Sequence, residues 1–189
     1  MAVVAIPLFS FAPGEKTRKL SGNTNFLKEK VSIFVEFDYS KTSVDGLDSE
    51  VDYIEYKMKN EESQEEADKW KNAWENDKKS FVEYFGNTIS GKTKKYPATF
   101  NIDNLEADYK LIVQPVHIGT GTPVKSSSFE CKFIFINSKT KEEEAVIYCP
   151  KTSGSQAGPM SSSMAGRVNL AMLYTINNFS KYYKGLMKS

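Results

Sequence analysis

FECKFIFIN at residues 129–137, followed by the charged link Ser138–Glu143 and then EAVIYC at 144–149, decides the fold. Both segments are rich in β-branched and aromatic residues, and a short polar stretch separates them, which is the pattern of an antiparallel hairpin. If the link turns about Thr140, residues whose numbers sum to 280 oppose each other: Phe133 with Ile147, Phe135 with Ala145, and Cys131 with Cys149. Phe133-Ile134-Phe135-Ile136 is apolar on both faces, so this hairpin supplies the centre of a sheet.

Upstream of the hairpin, Tyr109–Ile118 (YKLIVQPVHI) reads as a further strand whose Pro115 marks an edge or a bulge, and Gly119–Ser128 as a long turn. Val31–Tyr39 (VSIFVEFDY) alternates, with Val31, Ile33, Val35, Phe37 and Tyr39 on one side, the signature of a half-buried strand. Ser49 with Asp52 opens a short helix through Tyr53, Ile54 and Met58. Ser63 with Glu66 opens a second helix, in which Ala67, Trp70, Trp74, Phe81 and Phe85 recur at helical spacing and Gly86 supplies a stop. After the Gly/Ser loop Lys151–Pro159, Met164, Val168, Ala171, Met172, Thr175, Phe179, Tyr182 and Leu186 mark a long amphipathic helix. The expected fold is α+β: a single mixed, mainly antiparallel sheet of about four strands, with a Trp-rich helix and a long C-terminal helix packed on it. Residues 1–30 read as an amino-terminal segment and 31–189 as a single domain.

The chain has 189 residues, enough for one well-filled core, and 40% of them are hydrophobic, which excludes a generic disordered chain. A net charge of +1 disfavours general nucleic-acid binding, and no stretch is long and apolar enough to span a bilayer. One His and two Cys exclude a zinc site with four such ligands. The acidic group Asp45, Asp48, Glu50 and Asp52 lacks the ligand order of a calcium loop and reads as helix capping, so no metal and no cofactor is expected. Residues Ala2–Ala12 (AVVAIPLFSFA) have the length of a signal-peptide core and end in a small-x-small exit, although a positively charged start is missing. They suggest a periplasmic or extracellular protein. If the run is not a signal, the protein is cytoplasmic and the run an edge segment packed on the domain.

Four constellations could carry chemistry. Cys131 and Cys149, opposed in the hairpin, form either a cross-strand disulfide, if the pair is a close one, or two buried thiols. Gly86-Asn87-Thr88-Ile89-Ser90-Gly91-Lys92-Thr93 matches the phosphate-binding loop of nucleotide-binding proteins, with Gly86 and Gly91 freeing the backbone, Lys92 reaching the outer phosphates and Thr93 a magnesium ion. Its context is reversed, since a helical pattern precedes it and Pro97 follows. Ser161, Ser162 and Ser163 with Arg167 could hold an anion at a helix start, though capping alone accounts for the serines. His117, at a strand end, lacks any acid or nucleophile that the sequence identifies, and no catalytic residue is assigned. Lys181-Tyr182-Tyr183-Lys184 mixes basic and aromatic residues as single-strand binders do, but cations belong at a helix C-terminus.

The strand ending Phe37-Asp38-Tyr39-Ser40, the helix carrying Trp70 and Trp74, the strand Tyr109-Lys110-Leu111-Ile112-Val113, the hairpin and the terminal helix together resemble a group of uncharacterised exported bacterial proteins. Their element order is similar to the small α/β domain of curli-secretion-type and TolB amino-terminal envelope proteins. That resemblance implies a non-enzymatic binding or assembly role in the cell envelope, through a protein partner or self-association, by a strand edge or the Gly/Ser loops. The alternatives are a nucleotide-binding protein or phosphotransferase using the 86–93 string, and a virion or other structural assembly subunit. Any small-molecule ligand is unspecified.

Overall fold

The computed structural model describes residues 15–122, 124–154 and 162–189. The candidate signal run, Ser161 and most of the Gly/Ser loop lie outside the described residues. Among those residues the elements run β1 (Arg18–Gly22), a 3-10 turn (Asn25–Lys28), β2 (Ser32–Phe37), β3 (Ser43–Val44), α1 (Glu50–Lys59), α2 (Gln64–Thr93), β4 (Thr99–Asn101), β5 (Tyr109–Gly119), β6 (Ser128–Asn137), β7 (Glu143–Ser153) and α3 (Met164–Leu186). The fold is α+β, and its sheet has seven strands where the sequence suggests about four. Their order is β1-β7-β6-β5-β2-β4, with β3 also paired to β5. β2 lies parallel to both β4 and β5, whereas β5, β6, β7 and β1 form an antiparallel meander.

The hairpin register is the one its sequence implies: Cys131 opposes Cys149, Phe133 opposes Ile147 and Phe135 opposes Ala145. Alternation then places Phe133, Phe135, Ala145 and Ile147 on one face with Ile33, Val35, Leu111 and Val113, all of them buried. The helices cover this face. Phe85 of α2 meets Phe37 and Phe133 edge-on, and Phe179 of α3 meets Phe100 and Phe133 in the same way. α1 joins the layer by seating Tyr53 against Trp70 and Trp74. The Trp74 indole donates to Glu50 Oε1 at 2.7 Å, which gives the buried ring's N–H the partner it needs. At the far end of α3, the Tyr183 hydroxyl donates to the Leu27 carbonyl and accepts from Ala98 N at 3.2 Å, pinning the 3-10 turn and the approach to β4 against one helix.

The serine caps behave as expected, Ser49 accepting from Asp52 N and Ser63 from Glu66 N. Gly86, however, is not a stop. α2 continues to Thr93, because Ile89 and Thr93 extend the buried stripe at four-residue steps past Phe85. Gly86 is instead a point of close approach: a Cβ there would collide with Cγ2 of Ile102. The amino-terminal boundary also differs. Residues 18–22 form an edge strand on β7, and Phe26 and Leu27 enter the core, so the fold includes residues that the sequence reading leaves in the segment 1–30.

Candidate functional site

All three helices lie on one side of the sheet, and the other side is where the unassigned chemistry collects. Its rows follow from the strand registers. Phe34, Lys110 and Ile136 lie side by side on β2, β5 and β6; Glu36, Ile112, Ile134 and Val146 form the next row across to β7; Gln114, Lys132 and Tyr148 form the third. Phe34, Ile112, Ile134 and Ile136 are only half-buried, and no described helix packs over them. Polar groups fringe these apolar side chains. Lys110 Nζ sits 3.2 Å from Glu36 Oε2, and Gln114 donates to Asp38 Oδ2 at 2.9 Å. Tyr148 donates to Glu130 Oε1 at 2.7 Å while the Arg18 guanidinium lies 4.8 Å above its ring. Burial raises the Glu130 carboxyl above the ordinary range despite that bond.

At one end of this face, where β3 joins β5, His117 stands between two serines. Its Nδ1 is 3.2 Å from Ser43 Oγ and its Nε2 3.2 Å from Ser128 Oγ. Sequence reasoning finds no partner for His117, since Ser43 and Ser128 are 74 and 11 residues away. The β5–β6 register sets Glu130 opposite His117 and Ser128 opposite Gly119, so Ser128 is only a diagonal neighbour; Ser43, on a two-residue strand, carries no signal of its own.

Burial lowers the affinity of His117 for a proton, Lys151 adds to this, and Asp45 opposes both. The folded pKa therefore lies below that of the unfolded chain, near 6.5. Between the two values the unfolded chain binds more protons, so stability is fully present above about pH 6.5 and is lost as pH falls through the folded value. Thermal melts from pH 7 to pH 5 should show this slope in the wild type and a smaller one in His117→Gln.

The other residues singled out in the sequence fall elsewhere. Gly86, Gly91, Lys92 and Thr93 lie in the last turns of α2, so helix, not strand, leads into the string. Its amides are spent in helical bonds, Lys92 is exposed, and the Thr93 hydroxyl donates to Ile89 O at 2.7 Å. Ser163 caps α3 by accepting from Gly166 N at 3.0 Å. Arg167 is buried and turns toward the β5–β6 connection, its Nε and one terminal nitrogen each 3.3 Å from the Thr120 and Gly121 carbonyls. Cys131 and Cys149 are free, buried thiols on the helix-covered face, and burial pushes the Cys131 thiol well up. Among the described residues no group of three or more His, Cys, Asp and Glu side chains could hold a metal ion, and no helix is long and apolar enough to cross a membrane.

No protein family matches the sequence, and no curated protein does. Solved structures give a distant likeness: a PelC dodecamer from Paraburkholderia phytofirmans, 11% identical, with a TM-score of 0.42 over 86% of this chain and 98% of that one. A single-substitution variant of that dodecamer gives 12% identity and a TM-score of 0.39, over 85% and 95%.

Proposed function

We propose that this chain is a binding and assembly module of the cell envelope that acts by protein contact, and that its helix-free sheet face packs against a second copy of the chain. The observation that carries this reading is the half-buried pair Ile112 and Ile134, flanked by Phe34 and Ile136, on a face no described helix covers. Contiguous apolar surface rimmed by polar groups is what interaction sites expose. A second copy fits because the face carries both signs of charge in Glu36, Lys110 and Lys132, so a two-fold arrangement can set unlike charges opposite each other. With a net charge of only +1, copies meet without long-range repulsion. Export is supported by the Ala2–Ala12 run and its small-residue exit.

Four strands at about 4.8 Å and three rows at about 7 Å give a footprint of roughly 400 Å² per copy. That is the low end for specific interfaces, so the expected state is a concentration-dependent equilibrium rather than a permanent dimer. Sedimentation equilibrium should show mass rising above 21.3 kDa with concentration. Ile134→Lys should weaken association tenfold or more at unchanged circular dichroism, whereas Leu105→Lys, at a residue 79% exposed, should leave it intact. A wild-type chain that stays monomeric at high concentration, or an Ile134→Lys chain that associates normally, would refute the reading.

A further inference from the structure

Away from the helix-free face, the flank of α3 and the start of β1 enclose a cavity. Arg18 lies over Tyr148 on the helix-free side, so strand alternation turns Thr17 the other way, toward α3. α3 packs on β6 and β7, while all five residues of β1 stay exposed, which leaves a gap between the helix and this edge of the sheet. Asn178, Lys181 and Tyr182 follow one another at helical spacing and share one side of α3. Together with Glu15, Lys16 and Thr17 they line a cavity of about 410 Å³. Lys16 and Lys181 are exposed, so a ligand reaches it from solvent.

The polar groups around this cavity are uncommitted. The Thr17 hydroxyl is buried and has no hydrogen-bond partner. Buried polar groups are nearly always paired, so this orphan marks a place where a ligand atom belongs. Among the described residues the Asn178 carboxamide has no hydrogen bond, and neither Lys16 nor Lys181 has a carboxylate within ion-pair distance. Glu15, the acid at the rim, is held by Arg18. Two ammonium groups therefore act on the cavity without a local counter-charge.

We propose that this cavity binds a small organic anion, with Lys16 and Lys181 holding its oxyanion group and Thr17, Asn178 and the Tyr182 ring holding a hydroxyl-bearing body. Ammonium groups only donate, and two of them without a local acid favour negative charge. A hydroxyl and a carboxamide each donate and accept, which is the complement of ligand hydroxyls. The volume falls within the range of small-molecule sites, roughly 300–1,000 Å³, and exceeds what a bare ion fills. The lining shares no residue with the self-association face, and the inference does not rest on that reading.

The test titrates the isotope-labelled full chain by NMR, at constant ionic strength, with glucose 6-phosphate, glucuronate, inorganic phosphate and glucose. The expected result is saturable shifts at the Thr17 amide and the Asn178 side-chain amide with at least one sugar anion, the tighter of the two showing whether phosphate or carboxylate is preferred. Glucose and inorganic phosphate should each bind at least about tenfold more weakly, since each lacks half of the recognised chemistry. Lys181→Ala should weaken the sugar anion about tenfold or more and Thr17→Val about threefold or more, at unchanged circular dichroism. Lys139→Ala, at an exposed lysine of the β6–β7 turn, should leave the affinity as it is. No saturable shift at Thr17 and Asn178, inorganic phosphate binding as tightly as both sugar anions, or an unchanged affinity in Lys181→Ala would overturn the inference.

Discussion

Phe133→Ala is expected to lower stability by about 4 kcal/mol, which for a chain of this size is a fall in melting temperature of roughly 8–16 °C. Phe133 lies on β6, central in the sheet, with no exposed surface, and it touches both covering helices: Phe85 of α2 at a centroid distance of 5.6 Å and Phe179 of α3 at 5.0 Å. Truncation removes a large apolar transfer term and leaves a cavity that neither helix can fill without breaking its other contacts. Because marginal domains hold only about 5–15 kcal/mol in all, the variant sits near the edge of folding at 37 °C. Phe133→Leu keeps most of the volume and should lose less than half as much. Urea titration of the three proteins, with equal slopes, checks both values; a loss under 1 kcal/mol for the alanine variant would mean that the two helices do not share this contact.

The same residue shows what a single sequence can reveal. Phe133, Phe135, Ala145 and Ile147 belong to one apolar face, and the turn about Thr140 sets which of them meet, so the centre of the sheet follows from local pattern alone. The ends of the hairpin do not: the register shifts between Phe129 and Cys131 and again between Phe135 and Ile136. A bulge is one extra residue, which alternation does not register. The outer strands are illegible for another reason. Arg18–Gly22 is exposed throughout, β3 has two residues and β4 three, so each is a strand because of its partner and not because of its own composition. Gly86 misleads because a glycine before a polar stretch looks like a helix end, whereas the residue that makes it necessary, Ile102, is on the far side of the packing. The signal that α2 continues is present in Ile89 and Thr93, four and eight residues after Phe85.

Candidate sites follow the same division. The Cys131–Cys149 opposition is readable because it is a matter of register within one hairpin. The His117 cluster is not, because it needs β3, β5 and β6 brought together. The open face is visible only once all helices are known to lie on the opposite side; Phe34, Ile112 and Ile134 look in sequence like any other strand residues.

Arg167 carries the second large effect. A cation in the first turn of a helix opposes the helix dipole, which makes an anion an attractive partner. The buried guanidinium also reaches the Thr120 and Gly121 carbonyls, while the Ser127 hydroxyl donates to the Arg167 carbonyl. The long connection between β5 and β6, which runs from Gly119 to Ser128, is thereby clamped to the start of α3. Arg167→Ala removes charge-assisted bonds and leaves carbonyls without those donors, an expected loss of about 2–4 kcal/mol. Arg167→Lys should recover little of it, because one ammonium on a flexible stem does not reproduce a planar fork aimed at two carbonyls. Amide exchange should separate this clamp from general destabilisation: in both variants residues 119–127 should exchange faster by a larger factor than the β6–β7 core. If phosphate or sulfate at millimolar concentration raised the melting temperature of the wild type but not of Arg167→Ala, the guanidinium would be serving an anion after all, and the clamp would not be its main role.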